Sequence, residues 1–467
     1  VLIKPWLTHY DSGVPESINY PVLPIDHLLI YSAHKSPKET AVIFADADGR
    51  SLAAAKYTYK ELTTAVYQFA AGLQQLGVQK GNRVAVMLPN CPQFIIAINA
   101  VWRLGAIAVC AEPRYATRKL ESILADSGSK TIITTDKVSQ RLEKNWHRLP
   151  LERVIVTDVD DYLPWQTKRV TLGTSPLTQM LQTSSDIVTR IPFNKVFFRD
   201  IAKLKLIEVS SMDTAVILYA HYRQQTLVGV QLSHRNLVSN ATAVNTWCQT
   251  SNTLDRRLAV VPFSHAFGLT VALNTGIFAG DTLVVLHNLL RPEQITQAIK
   301  QYRINILPAT PAMLTHLAAQ ARDHAKAFSS LQKIISSGPL PPQTYAQLSS
   351  LPGVDITETF GRPETSAVVT MNPLHSRKAQ TIGIPLPDTN VMIADAELGT
   401  NELPPGEIGE IIVRGPQVMQ SYWRRPGTAA EYVRVGPDGQ HGWYFTGHYG
   451  YMDEEGFLYL AEQQTAN

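Results

Sequence analysis

The chain has 467 residues, and charged side chains make up only 17% of it, below the ~25% usual for soluble domains; the balance points to a large buried interior. Net charge is +3 with the basic residues scattered, which argues against a nucleic-acid partner. Cys91, Cys110 and Cys248 stand too far apart for a metal site or a disulfide framework, and no leader or transmembrane segment is visible, so a cytoplasmic protein is expected.

Leu62, Val66, Phe69, Leu73 and Leu76 recur at helical spacing and predict an amphipathic helix over 59–76. Gly77 and Gly81 end it, 83–88 reads as a buried strand, and Pro92 opens the next helix. Apolar runs at 107–111, 131–136 and 153–158 continue an alternation that indicates parallel strands with crossover helices. Residues 160–211 lack periodicity and read as an irregular linker. A second α/β series passes through 215–219, 257–261, 281–286, 304–309, 333–337 and 354–360. After about Asn372 the strands shorten and turn signals crowd together. The expected fold class is therefore α/β: two parallel-sheet α/β lobes, 1–205 and 206–372, followed by a small β-barrel subdomain, 373–467.

One stretch breaks the pattern. A buried-type strand at 215–219 leads to a helix capped by Ser233, the strand–loop–helix setting in which phosphates are commonly held. Yet 220–228 contains no glycine, serine or lysine. A phosphate cradle needs glycines for close backbone approach, hydroxyls as donors and a lysine as point charge.

Several ordered segments, among them VVPFSHAFGL, SSGPLP, ETFGRPET, GIPLPDTNV, LPPGEIGEIIVRGPQVMQSYW and GYMDEEGFLYL, resemble the adenylate-forming superfamily, and within it the long-chain fatty acyl-CoA ligases. The resemblance implies an N-terminal domain of two α/β lobes and a small barrel, joined by a hinge to a mobile lid. The 467 residues are expected to stop at that hinge, short of the lid. It also implies a two-step activity with ATP, Mg2+ and coenzyme A, in which a fatty acid is first adenylated and then transferred to the thiol.

Against that family pattern, the nucleotide positions are degenerate. Where the family has its phosphate-loop run, this chain has Ala220, His221, Tyr222, Arg223, Gln224, Gln225 and, at the lysine, Val228, with Gly229 retained. The Tyr-Gly-x-Thr-Glu motif appears as Phe360, Gly361, Arg362, Pro363 and Glu364; the threonine is lost, and Glu364 keeps the magnesium carboxylate, of use only if MgATP binds. The ribose-binding aspartate is His448, and the hinge arginine is Gln463. His265, Phe267, Gly268 and Gly338 match positions that line the family's acyl channel.

The coincidence of losses on one ligand favours a catalytically impaired ligase relative that binds an acyl chain or acyl-CoA and uses no cofactor, with a protein partner or homodimer left open. Two alternatives stand beside it. One is an active ATP-dependent ligase with atypical motifs. The other is an acyl transferase or thioesterase using His221, His265 or His448 as a new acid–base group.

Overall fold

Helix Pro92–Arg103 is mostly apolar, and every residue from Pro92 to Trp102 is buried; its buried Asn99 amide donates to the Ile95 carbonyl at 2.9 Å. Its Trp102 indole donates to the Ala215 carbonyl at 2.9 Å, which ties it to the sheet below. Helix Tyr59–Gln75 starts at a reciprocal Thr58/Glu61 cap and lays Leu62, Val66, Phe69 and Leu73 into the same core. The computed structural model describes residues 4–46, 54–159, 188–222, 226–249, 255–287, 291–321, 324–395 and 399–461.

Among these residues the strands form three sheets. The first has eight, in the order Ser421–Tyr422, Thr226–Ser233, Thr214–Tyr222, Ile107–Cys110, Arg83–Met87, Thr131–Thr135, Arg153–Thr157 and Thr189–Pro192. The second has nine, in the order Ile384–Pro385, Thr370–Met371, Asp355–Phe360, Lys333–Ser336, Ile306–Ala309, Arg256–Ala259, Thr282–His287, Thr40–Asp46 and Ala55–Thr58. The centre of each is parallel; both margins of the second are antiparallel, whereas the first is antiparallel at the Ser421–Tyr422 end and parallel at the Thr189–Pro192 end. The third is a five-stranded antiparallel sheet built from Asn390–Ala394, Gly409–Arg414, Trp443–Met452, Val433–Arg434 and Leu458–Leu460. Two parallel-sheet lobes and a small antiparallel sheet are the architecture expected.

The sheets interleave along the chain. Thr214–Tyr222 pairs with Ile107–Cys110 in the first sheet, whereas Thr40–Asp46 pairs with Thr282–His287 in the second. The stretch expected to be irregular contains one more strand: Thr189–Pro192 extends the first sheet beside Arg153–Thr157, anchored by buried Ile191. At four residues it is too short to show a period. Residues 160–187 lie outside the described part. No described helix is long and apolar enough to cross a membrane.

Candidate functional site

At the position of the suspected phosphate loop the chain forms a strand pair. Thr214–Tyr222 is matched antiparallel by Thr226–Ser233, pairing Tyr219 with Gly229, Ala220 with Val228, His221 with Leu227 and Tyr222 with Thr226. The expected strand–loop–helix order is thus corrected to strand–strand–helix. The signal was present in the sequence: Val228, Val230 and Leu232 alternate at period two, and all are buried. A cross-strand ladder directs backbone N–H groups at partner carbonyls, which a phosphate cradle cannot allow. Val228, at the family's lysine position, is 2% exposed and faces the core.

The pair is held from outside. The Tyr219 hydroxyl donates to Asp126 Oδ2 at 2.7 Å, and Arg425 bridges Asp126 Oδ1 (3.1 Å) and the Leu227 carbonyl (3.2 Å). Trp423 N–H donates to the Gly229 carbonyl at 2.7 Å. A Cβ on Gly229 would lie 2.7 Å from Ile217 Cγ2, so glycine is required here for packing. Arg223, Gln224 and Gln225 lie outside the described residues, as does Gln463.

Glu364 sits in a single helical turn, Pro363–Thr365, which Arg362 N–H enters by donating to Thr365 Oγ1 at 2.9 Å. Gly361 allows the approach: a Cβ there would be 1.9 Å from the Ala367 carbonyl oxygen. Glu364 is 2% exposed, and each of its carboxylate oxygens has a partner. Oε1 accepts from the Tyr422 hydroxyl at 3.0 Å, and Oε2 accepts from Arg362 Nε at 3.3 Å. Arg362 Nη1 then donates to His448 Nε2 at 2.7 Å. That bond fixes the neutral His448 tautomer with its proton on Nδ1. Burial and the adjacent Arg362 guanidinium push the His448 pKa below its ordinary value, with Glu364 opposing. Burial would lower the Arg362 pKa, but Glu364 and Tyr444 outweigh it and raise it. Phe360 meets the His448 ring edge-on, centroids 5.5 Å apart.

Beside this cluster lies a cavity of about 300 Å³, walled by His265, Phe267, Thr310, Ser337, Arg362 and Pro363 among others. His265 and Phe267 line it directly. Gly268 stands behind them, at the start of the buried π-helix Gly268–Asn274, where a Cβ would strike the Pro262 carbonyl oxygen at 2.0 Å. Gly338 is outside the lining, where its neighbour Ser337 takes the wall. Partial desolvation lowers the His265 pKa, with Glu112 opposing and Lys119 and Arg114 adding to the fall. Arg362, Tyr422 and Tyr444 had not been singled out from sequence. Arg362 fills an unspecified motif position, and the two tyrosines arrive from elsewhere in the chain.

The chain matches the AMP-binding enzyme family over residues 30–423. It is similar to a long-chain-fatty-acid–CoA ligase of Bacillus subtilis, 32% identical over 99% of this chain and 80% of that protein. A ligase of the same description from Escherichia coli is 28% identical, over 99% and 81%. Among solved structures, a long-chain-fatty-acid-CoA ligase from Archaeoglobus fulgidus superimposes with a TM-score of 0.80 at 25% identity, covering 97% of this chain and 86% of that one.

Proposed function

This chain belongs to the AMP-binding enzyme family, and from that premise we propose that its cleft holds an acyl chain or acyl thioester without ATP-dependent adenylation. The observation that carries the reading is the state of Glu364. A magnesium ligand must present its negative charge to the ion, and here each oxygen already accepts one hydrogen bond, one from Tyr422 and one from Arg362, a fixed cation that neutralises the carboxylate and repels Mg2+. Three further features agree with it. His448 has its acceptor nitrogen occupied by Arg362, where two ribose hydroxyls would need acceptors. Pro363 has no hydroxyl to offer a phosphate. Backbone donors at 219–222 and 226–229 lie in a strand pair.

The residues present therefore do not fit MgATP, and no adenylation step is derived through them. The cavity beside His265 and Phe267 is concave and partly apolar, as a chain-binding cleft requires. Calorimetric titration of the full gene product with MgATP is expected to give no saturable heat, while palmitate and palmitoyl-CoA displace a fluorescent fatty acid from the cleft. The relatives' names favour an active ligase instead. Micromolar MgATP affinity, or palmitoyl hydroxamate formed from ATP, palmitate and hydroxylamine, would establish that alternative and end this proposal.

A further inference from the structure

We propose that a second cavity, lined by different residues from the cleft, binds a small organic anion: one carboxylate or phosphate group on a compact apolar body. The cavity has a volume of about 520 Å³, larger than the cleft's 300 Å³. It opens between the N-terminal segment at Tyr20, the first turn of helix His234–Cys248 at Arg235, and the strand ends of the third sheet at Asn390 and Arg414. Gly442, immediately before strand Trp443–Met452, forms part of its rim. The two cavities share no lining residue, and the Met419 N–H in this wall donates to the Glu364 carbonyl at 2.7 Å, which ties the two regions together.

The charges set the ligand class. The exposed Arg235 guanidinium has no hydrogen-bond or ion-pair partner among the described residues. Arg414 donates to Gln440 and approaches Asp438 only to 3.9 Å. The single carboxylate in the wall, Asp388, accepts the Ile18 N–H at 2.8 Å, and the neighbouring Tyr20 hydroxyl donates to the Pro387 carbonyl at 3.1 Å. Two arginines against one carboxylate leave the wall net positive, with the Arg235 donors unused. Val418, Met419 and Val433 supply the apolar wall. Guanidinium groups bind carboxylate and phosphate alike by paired N–H donation, so both headgroups belong to the class.

The site is tested by calorimetry on the whole protein with phenyl phosphate, benzoate and, as an uncharged control, phenol. Saturable, salt-sensitive binding of either anion is expected, and the stronger of the two identifies the headgroup. Arg235→Gln removes a guanidinium with no hydrogen-bond or ion-pair partner among the described residues and should weaken binding at least tenfold; Arg414→Gln should do the same. Neither variant should alter fatty-acid displacement in the cleft, and Arg362→Met should leave anion binding intact. That separation makes the outcome independent of the function proposed above. No saturation by either anion at about 5 mM, equal binding of phenol, or unchanged binding in the Arg235→Gln, Arg414→Gln double variant would overturn the assignment.

Discussion

If Arg362 is the built-in counter-ion of Glu364, removing it must leave a buried carboxylate without a cation. Arg362→Met keeps the stem and deletes the charge. At 3.3 Å the gross attraction is about 5 kcal/mol for an effective dielectric of 20. The net coupling is smaller, because the Arg362 side chain is 26% exposed and that of Glu364 only 3%, and both lose hydration on folding. A coupling of about 2 kcal/mol is expected. Arg362→Met alone should cost about 3 kcal/mol, since Tyr422 and Tyr444 offer hydroxyls but no charge. Glu364→Gln keeps an acceptor for Tyr422 and should cost about 2 kcal/mol. The double variant should then cost about 3 kcal/mol rather than the sum of roughly 5. Urea unfolding followed by tryptophan fluorescence gives the four stabilities of the cycle. A coupling below about 0.5 kcal/mol, or an Arg362→Met protein as stable as the parent, would refute the counter-ion argument and with it the main support for an idle magnesium position.

Burial holds His234 at about 4, below the ordinary 6.5, so the unfolded chain takes up a proton that the folded chain refuses. Stability present at pH 7 is therefore lost as pH falls, by about 2 kcal/mol at pH 5. In His234→Asn, whose Oδ1 can accept the Ile25 N–H in place of Nδ1 at 3.2 Å, that part of the slope should vanish; an identical slope in both proteins would exclude His234 as its source. Amide hydrogen exchange should show protection through 219–222 and 226–229, and Arg425→Ala should loosen it, because Arg425 clamps the Leu227 carbonyl. Exchange at loop rates in the parent would contradict the strand pair. All three cysteines are buried, and burial pushes Cys91 and Cys110 up to about 12, so a thiol reagent at pH 8 should label none of them until the protein is denatured. Prompt labelling of the native protein would show that these thiols are accessible.

The sequence was sufficient for what depends on local period and on residue chemistry. Short apolar runs gave the central strands, Pro92 marked the opening of a helix, and Leu62, Val66, Phe69 and Leu73 at helical spacing gave an amphipathic one. The loss of glycines, hydroxyls and lysine at 220–228 was also plain, because it needs no coordinates to see which donors are missing. What the sequence could not supply were relationships across the chain. Arg362 and Glu364 are two residues apart, a spacing that parts side chains on a helix and sets them side by side only in a strand; the tight turn Pro363–Thr365, closed by Ser366 at φ 59°, joins them here. Tyr422 reaches Glu364 from 58 positions away and His448 reaches Arg362 from 86. The interleaving of the two large sheets, and the cavity between Tyr20, Arg235 and Arg414, exist only because packing brings together segments whose separation along the chain carries no record of their distance in space.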